Sequence, residues 1–221
     1  MPIKAVLFDF DGTLADTAAD LSRALNRLRT ARGLAAMPLQ DLRPHASSGA
    51  RGLIAAGLGI AAEHAEFKDL RDAFLKHYEA EICVDSHLFP GVAELLAAIE
   101  ARGLRWGIVT NKSTRLTRLI VQALALDARA ACVVCGDSTP HLKPNPASLL
   151  LAAQQLALPP ADCIYLGDDL RDIQAARSAG MRPVAVAWGY GSGLAAWQAD
   201  VIIEKPMDLL YNPLTFQGEP T

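Results

Sequence analysis

The sequence contains few cysteines, few aromatic residues and no long hydrophobic run. Cysteine occurs four times, and aromatic residues make up 6% of the 221 residues. No stretch approaches the roughly 20 apolar residues that a membrane span needs, so no membrane partner is expected. The first apolar run, residues 5–8, is interrupted by Asp9 and is too short for a secretory signal, so the cytoplasm is the expected compartment.

A strong excess of charge of either sign is also missing. The chain has 24 acidic and 21 basic residues, a formal net charge of -3. A broad nucleic-acid-binding surface normally carries a basic stripe, so no nucleic-acid partner is expected. The composition, 51% hydrophobic and 20% charged, is instead typical of a globular protein with a substantial core. Any anion that binds must meet local positive charge, a helix N-terminus or a metal.

Two of the cysteines, Cys132 and Cys135, have the C-x-x-C spacing of redox and zinc sites. No second such pair and no histidine pair completes a tetrahedral zinc site. The favoured interpretation is therefore two ordinary buried thiols in a strand.

Short apolar runs alternate with helical patterns along most of the chain. This order predicts an α/β fold with a Rossmann-like, doubly wound parallel sheet. The predicted strands cover residues 3–8, 105–110, 131–135, 163–166, 183–187 and 201–203. They lack strict alternation, as expected for strands that helices cover on both faces.

The alternation is interrupted after the first strand. Residues 15–88 read as helices over 18–32, 39–45, 51–57 and 63–82, and Phe89-Pro90-Gly91 marks the return to the sheet. We therefore predict a catalytic core of residues 1–14 and 89–221 with a small helical cap domain, residues 15–88, inserted into it. Turn-forming residues after about Tyr211 predict a frayed end.

Two aspartates, Asp9 and Asp11, directly follow the first strand. In an open parallel sheet, ligands bind beyond the carboxyl ends of the strands. Two carboxylates there are costly to desolvate without a cation, and a hard divalent ion with oxygen ligands is a suitable one. Gly12 allows a tight turn. The alternative is a solvated Asp-Gly turn.

Two further segments offer groups for phosphate oxygens. Thr110 and Asn111 end the second strand of the core, where a hydroxyl and an amide suit a phosphate, although both residue types also cap helices. Lys143 precedes Pro144, which suits the first turn of a helix and is expected to give the ammonium a fixed direction.

The fourth segment is Gly167-Asp168-Asp169, followed by Asp172. If its strand neighbours the first, Asp168 completes the oxygen shell that Asp9 and Asp11 begin. Asp172 lies one turn into the following helix and faces the same edge of the sheet. Acidic residues here also favour a helix N-terminus, which explains Asp169 alone.

Together these segments resemble the haloacid dehalogenase superfamily of phosphohydrolases. The order and strand-end placement of the four motifs match over essentially the whole chain, and the insertion resembles the C1-type cap of the phosphoglycolate-phosphatase-like subgroup. The resemblance implies that Asp9 attacks phosphorus and forms an aspartyl-phosphate. It implies that Asp11 protonates the leaving alkoxide and then activates water, while Lys143, the third catalytic residue, reduces charge repulsion around Asp9.

The resemblance also implies ligands for a Mg²⁺ cofactor and for phosphate. The carboxylates implied at the metal are those of Asp9, Asp11 and Asp168, and the carbonyl of Phe10 is a further implied ligand. The side chains implied to bind phosphoryl oxygens are those of Thr110, Asn111 and Lys143. Asp172 is expected to orient Lys143 or a metal-bound water, and Asp169 is the second candidate for that role.

The cap is expected to select a small phosphate ester. Ser48 and Arg51 lie where a polar, glycine-containing loop enters a helix, and the fork of Arg51 suits a substrate carboxylate, although a solvated arginine is an equal alternative. The resemblance implies 2-phosphoglycolate or N-acetylmuramic acid 6-phosphate as the substrate. A monomer or homodimer is expected.

Three other functions share some of these features. A phosphomutase of the same superfamily shares every motif but excludes water from its aspartyl-phosphate. A haloacid dehalogenase needs no second acid at Asp11. A non-catalytic module that binds a phosphorylated ligand would retain the site without turnover.

Overall fold

A computed structural model describes residues 3–212 and residue 215. The strands are β1 Ala5–Phe8, β2 Ala15–Asp16, β3 His87–Leu88, β4 Arg105–Val109, β5 Val133–Val134, β6 Cys163–Gly167, β7 Arg182–Val186 and β8 Val201–Ile203. The α-helices are α1 Ala18–Ala31, α2 Leu39–Leu42, α3 Gly49–Leu58, α4 Phe67–Ala80, α5 Val92–Ala101, α6 Thr114–Ala123, α7 Ala147–Gln155, α8 Leu170–Ala179 and α9 Asp208–Tyr211. Most of the predicted frayed end lies outside the described residues.

Six of these strands form one parallel sheet in the order β5-β4-β1-β6-β7-β8. In the centre, Ala5 of β1 lies opposite Arg105 of β4 and Cys163 of β6. The chain places β4 and β5 on one side of β1 and then crosses to the other side for β6, β7 and β8. The strand order therefore reverses beside β1, which is where open α/β sheets bind their ligands.

The sheet confirms the predicted fold class. All six predicted strands are present, and β5 is shorter than predicted because this edge strand pairs with β4 over only two residues. Helices cover both faces. One face buries Phe8 and Ile108 against residues such as Leu95 of α5, and the other buries Leu7 against residues such as Leu149 of α7.

The helices α1 to α4 occupy the predicted insertion. The predicted helix 39–45 is shorter in the structure, because Pro44 has no N–H to continue α2, and a 3₁₀ turn, Arg43–Ser48, follows instead. The chain leaves the core through β2 and returns through β3, and these two-residue strands pair antiparallel. Such short strands have no readable periodicity, so the sequence analysis missed them. The boundaries of the cap domain remain a prediction.

All four cysteines are free thiols, and Cys132, Cys135 and Cys163 are buried. Burial raises the pKa of the Cys132 thiol to about 12 and that of Cys163 to about 11. These are the properties expected of unreactive buried thiols.

In the part of the chain that the structure describes, no helix has the length and apolar character needed to cross a membrane.

Candidate active site

The candidate site lies at the carboxyl ends of β1, β4 and β6. Asp9, Thr110 and Asp168 each follow one of these strands, and the ladder continues to Asp9, whose amide donates to the Leu166 carbonyl at 2.8 Å. Parallel neighbouring strands end at the same edge of a sheet, so residues about 160 positions apart in sequence become neighbours.

Three carboxylates gather at this edge. One oxygen each of Asp9, Asp168 and Asp172 lies within 4.8 Å of the other two. Asp168 and Asp172 are fully buried, whereas Asp9 keeps partial exposure. Three acids in so small a volume repel one another, so they require positive charge nearby.

Lys143 supplies part of that charge. Its Nζ lies 2.8 Å from Oδ1 of Asp9 and 2.7 Å from Oδ1 of Asp172, and it also donates to the hydroxyl of Tyr165 at 2.7 Å. Burial disfavours the charge of Lys143, but the carboxylates of Asp172 and Asp9 outweigh it and raise the pKa of the ammonium. Lys143 is therefore held as a cation beside Asp9.

Asn111 holds the backbone of Lys143. Its Oδ1 accepts from the Lys143 amide at 2.9 Å, and its Nδ2 donates to the Lys143 carbonyl at 3.1 Å. These contacts use one of the two N–H donors of the Asn111 amide, so its predicted role in binding phosphoryl oxygens stays a prediction. The predicted role of Pro144 is corrected, since α7 begins only at Ala147 and Asn111 rather than a helix start fixes Lys143.

Thr110 is buried beside this contact. Its Oγ1 accepts from the amide of Lys112 at 3.1 Å, and this contact does not use the hydroxyl proton. The predicted role of Thr110 as a phosphate ligand stays a prediction.

Asp168 has hydrogen-bond donors but no cationic partner among the described residues. Its Oδ1 accepts from the Thr13 hydroxyl at 3.1 Å, and its Oδ2 accepts from the Tyr190 amide at 2.9 Å and the Ser47 hydroxyl at 3.0 Å. Burial, together with the charges of Asp9 and Asp172, raises the pKa of Asp168 to about 8. The site is therefore short of positive charge at Asp168.

Gly12 is required beside Asp168. Its φ is +89°, and a Cβ at this position would lie 2.2 Å from Oδ2 of Asp168. Only glycine combines this backbone conformation with so close an approach.

The sequence analysis predicts Asp11 as a metal ligand, but its carboxylate pairs with the side chain of Lys112. Both of its oxygens accept from Nζ of Lys112, at 2.8 and 2.9 Å, and Oδ1 also accepts from the Thr17 hydroxyl at 2.5 Å. The group of three carboxylates that lie together does not include Asp11. The sequence analysis assigned no role to Lys112, whose Nζ lies 4.8 Å from the Tyr78 ring centroid.

The carbonyl of Phe10 is not free for a metal. Its oxygen accepts from the amides of Leu14 at 3.1 Å and Ala15 at 3.0 Å, so it closes the turn that follows β1. The prediction of this oxygen as a metal ligand is wrong, because the turn uses its hydrogen-bonding capacity internally.

Asp169 and Asp172 form a capping box at the start of α8. Asp169 Oδ1 accepts from the Arg171 amide at 2.9 Å, and Asp172 Oδ2 accepts from the Asp169 amide at 3.1 Å. Asp172 thereby contacts the start of α8 with one carboxylate oxygen and Lys143 with the other. Asp169 also forms a bidentate pair with the guanidinium of Arg171.

The insertion reaches the site through Ser47 and not through Arg51. The Arg51 side chain is 72% exposed and faces Glu63 at 3.5 Å, so the structure does not place it at the site. Within the part of the chain that the structure describes, Ser48 forms no hydrogen bond with the three carboxylates. The neighbouring Ser47 donates to Asp168, and its carbonyl accepts from Arg171 at 3.0 Å. The predicted roles of Arg51 and Ser48 in substrate selection stay predictions, and Ser47 of the same loop is the residue that contacts Asp168.

The donor set suits a hard divalent cation. All the candidate ligands are carboxylate oxygens, which Mg²⁺ prefers. Burial, with the charges of Asp9 and Asp172, raises the pKa of Asp168, and a cation beside this carboxylate would favour its ionised form. Asp9 and Asp168 are the two acids best placed to hold the ion, because Asp172 is shared between Lys143 and the Asp169 amide.

The chain is similar in sequence to a family of hydrolases and to named phosphatases. Residues 3–180 match the family model of the haloacid dehalogenase-like hydrolases. The chain is 43% identical over 213 residues to the N-acetylmuramic acid 6-phosphate phosphatase of Pseudomonas aeruginosa, covering 95% of this chain and 94% of that one. It is 44% identical over 212 residues to a phosphoglycolate phosphatase of Xanthomonas campestris pv. campestris, covering 93% and 94%.

Solved structures show the same fold. A predicted phosphoglycolate phosphatase from Haemophilus somnus 129PT superposes with a TM-score of 0.83 at 30% identity, covering 95% of this chain and 97% of that one. CbbY from Rhodobacter sphaeroides, solved in complex with phosphate, superposes with a TM-score of 0.75 at 26% identity, covering 94% and 96%.

The relatives confirm the predicted family and the predicted enzyme class, since those at 43% and 44% identity are named phosphatases. The matched region includes all four motifs that carry the site. The chain belongs to the haloacid dehalogenase-like hydrolase family.

Proposed function

We propose that this enzyme hydrolyses a small phosphate monoester that carries a carboxylate, with Asp9 as the nucleophile. One observation supports the nucleophile above all others. The Asp9 carboxylate stands partly exposed at the end of the central strand, 2.8 Å from the buried ammonium of Lys143. An anionic nucleophile that meets an anionic phosphate needs such a fixed cation.

The proposed reaction has two steps. An Asp9 oxygen attacks phosphorus, the ester bond breaks, and an aspartyl-phosphate forms while Asp11 gives a proton to the leaving alkoxide. Asp11 then takes a proton from water, which attacks the same phosphorus and releases inorganic phosphate. Lys143 and Thr110 bind the phosphoryl oxygens, and Asn111 contributes by holding the backbone of Lys143.

We propose Mg²⁺ as the cofactor, held by the carboxylates of Asp9 and Asp168. When bound, the ion neutralises charge on the phosphoryl oxygens. Asp11, a third predicted ligand, takes part through its side chain only if that side chain leaves Lys112. Asp172 and Asp169 act on the position of Lys143 and of α8.

Residues 15–88 are the proposed cap that selects the substrate, and 2-phosphoglycolate and N-acetylmuramic acid 6-phosphate are the proposed substrates. The support is the similarity to phosphatases named for these two compounds. Ser47 of the insertion donates to Asp168, one of the three clustered carboxylates. Arg51 and Ser48 stay candidates only if the insertion rearranges around a substrate.

We propose that the enzyme works in the cytoplasm as a monomer or homodimer. The contacts described at the site join residues of one chain.

The nucleophile is tested by Asp9→Asn, with release of phosphate from an aryl phosphate in Mg²⁺ as the measurement. We expect a loss of roughly 10⁴-fold or more, because a carboxamide cannot replace the nucleophile. Asp69→Asn on the exposed surface of α4 is the matched control and should be unaffected. Equal activity of the two variants, or full activity in excess chelator, would contradict the mechanism. Continued release of phosphate over many turnovers separates a phosphatase from a phosphomutase.

The substrate is tested by comparing 2-phosphoglycolate and N-acetylmuramic acid 6-phosphate with 2-hydroxyethyl phosphate, which resembles phosphoglycolate without its carboxylate. We expect kcat/KM to favour a carboxylate-bearing ester by at least about 10-fold, as expected for one charge-assisted contact. Recognition of the carboxylate would be ruled out by similar kcat/KM values for 2-phosphoglycolate and 2-hydroxyethyl phosphate, together with low activity on N-acetylmuramic acid 6-phosphate.

A further inference from the structure

The loop that follows β7 carries Gly189-Tyr190-Gly191, which the proposed mechanism does not use. This loop packs tightly against Asp168. A Cβ on Gly189 would lie 2.2 Å from Cβ of Asp168, and one on Gly191 would lie 2.0 Å from the Asp168 carbonyl. With the amide of Tyr190 donating to Asp168 Oδ2 at 2.9 Å, the loop cannot move without moving Asp168.

The side chain of Tyr190 points away from Asp168 and reaches the start of the insertion. Its hydroxyl accepts from the amides of Thr17 at 2.7 Å and Ala18 at 3.1 Å, and it donates to Oδ1 of Asp16 at 3.0 Å. These three contacts use the single donor and both lone pairs of a hydroxyl. Tyr190 therefore satisfies backbone donors at the start of α1 from the opposite side of the site.

The contacts of Tyr190 at the start of α1 add to those that the local sequence provides. Thr17 is the N-cap residue of α1, yet its side chain makes no capping hydrogen bond and instead donates to Asp11 at 2.5 Å. The first amides of a helix need partners. Tyr190 is the partner of the Thr17 amide and shares the Ala18 amide with Oδ1 of Asp16 at 3.3 Å, whereas a side-chain cap by Thr17 would serve the amides of Ala19 or Asp20.

A third segment joins the same group. Arg43, in the 3₁₀ turn of the insertion, pairs with Oδ2 of Asp16 at 2.8 Å, and its guanidinium carbon lies 5.0 Å from the Tyr190 ring centroid. Asp16, Thr17, Arg43 and Tyr190 thus form one connected polar cluster. It connects the exit of the chain from the core, the insertion and the loop around Asp168.

We propose that Tyr190 is a positioning residue that couples the start of the insertion to Asp168. Its hydroxyl fixes the first residues of α1, and its backbone fixes the carboxylate proposed to hold Mg²⁺. A displacement of the insertion is thereby transmitted to Asp168, and alignment of Asp168 restrains the insertion in turn. The inference rests on the proposed function for the role of Asp168.

The test uses Tyr190→Phe, which removes the hydroxyl and keeps the amide, the ring and the contact with Arg43. The control is Trp106→Phe on β4, a buried position that loses its own hydrogen bond, from the indole to Glu100 at 2.8 Å. For each variant we measure stability by urea unfolding, Mg²⁺ binding by calorimetry, and kcat and KM on 2-phosphoglycolate and an aryl phosphate.

We expect Tyr190→Phe to weaken Mg²⁺ binding by about 5-fold or more and to lower kcat by a similar factor, the lower end of typical coupling between sites. Both variants lose stability, because each loses a buried hydrogen bond. Trp106→Phe should keep the Mg²⁺ dissociation constant and kcat within about 2-fold, since its effect is structural alone.

Several results would overturn the coupling. One is a Tyr190→Phe protein that is less stable but keeps the wild-type Mg²⁺ dissociation constant and kcat. If Tyr190→Phe does not fold, Arg43→Met replaces it, and an unchanged Mg²⁺ dissociation constant in that variant has the same meaning. Absence of Mg²⁺ binding by the wild-type protein would overturn both the metal assignment and the coupling. Mg²⁺ binding without hydrolysis would contradict the proposed function alone, because the calorimetric comparison still reports the coupling.

Discussion

Asp168 and Lys143 show at the residue scale how charge is arranged in the site. Lys143 is paired twice, with Asp9 and Asp172, whereas Asp168 is held only by neutral hydrogen-bond donors. Removing one partner of a buried ion pair is strongly destabilising because it leaves an unpaired charge. By the same reasoning, burial without a cationic partner favours the protonated form of Asp168 and raises its pKa.

The pH dependence of stability should report this proton. The pKa of Asp168 is raised from 3.8 to about 8 in the folded protein. Between these values the folded state binds a proton that the unfolded state has lost, so the free energy of unfolding falls as pH rises, by at most about 1.4 kcal/mol per pH unit. We expect urea unfolding in chelator to show this fall between pH 5 and 8.

Asp168→Asn and Mg²⁺ are the controls for this prediction. The asparagine variant lacks the titrating group, so its stability should fall less over the same range. Saturating Mg²⁺ favours the charged carboxylate and should remove or reverse the fall in the wild-type protein. Parallel curves for the wild-type and variant proteins in chelator would show that Asp168 is already ionised.

At the scale of elements, the start of α8 joins helix capping to the site. Asp169 caps the helix, and Asp172 of the same box reaches Lys143 at 2.7 Å. The local rule for helix N-termini thereby also fixes a buried ion pair. Asp168 and Asp169 are adjacent acids in the sequence, yet Asp168 belongs to the group of three carboxylates and Asp169 caps α8.

The capping function of Asp169 is tested by comparing Asp169→Ala with Asp169→Asn. Asparagine is as good an N-cap as aspartate, whereas alanine leaves the Arg171 amide without its acceptor. We expect Asp169→Ala to be less stable than Asp169→Asn by about 1 kcal/mol in urea unfolding. Equal stability of the two variants would show that the cap at Asp169 makes no measurable contribution, because both variants lack the ion pair with Arg171.

At the scale of the whole molecule, the insertion and the sheet share one buried apolar cluster. Phe8 and Leu14 belong to it, and so do Leu25, Leu53 and Phe74 of the insertion. Polar contacts such as Ser47 with Asp168 cross the same boundary. Because the two parts bury surface against a common core, we expect them to unfold together.

This cooperativity is measurable with the natural tryptophans. All three, Trp106, Trp188 and Trp197, lie outside residues 15–88, so their fluorescence reports on the core, while circular dichroism reports on all helices. We expect the two signals to share one urea midpoint. Leu25→Ala should lower both midpoints together, by about 2–5 kcal/mol in stability. Loss of dichroism before fluorescence would show an independently melting insertion.

The sequence by itself determined the sheet, the helices of residues 18–80 and the positions of the strand-end acids. These follow from periodicity and strand order, which are local or depend on backbone pairing alone. Asp9 and Asp168 become neighbours as soon as β1 and β6 pair, whatever their side chains contact. The family resemblance rests on the same local motifs.

Only the tertiary structure decided which partner each polar side chain takes. Asn111 holds Lys143, Asp11 meets Lys112, and Tyr190 caps a helix from the other side of the site. Ser47 rather than Arg51 reaches the carboxylates. The physical reason is that side-chain direction depends on packing between segments that are distant in sequence, whereas the strand ends that carry the chemistry are placed by the backbone.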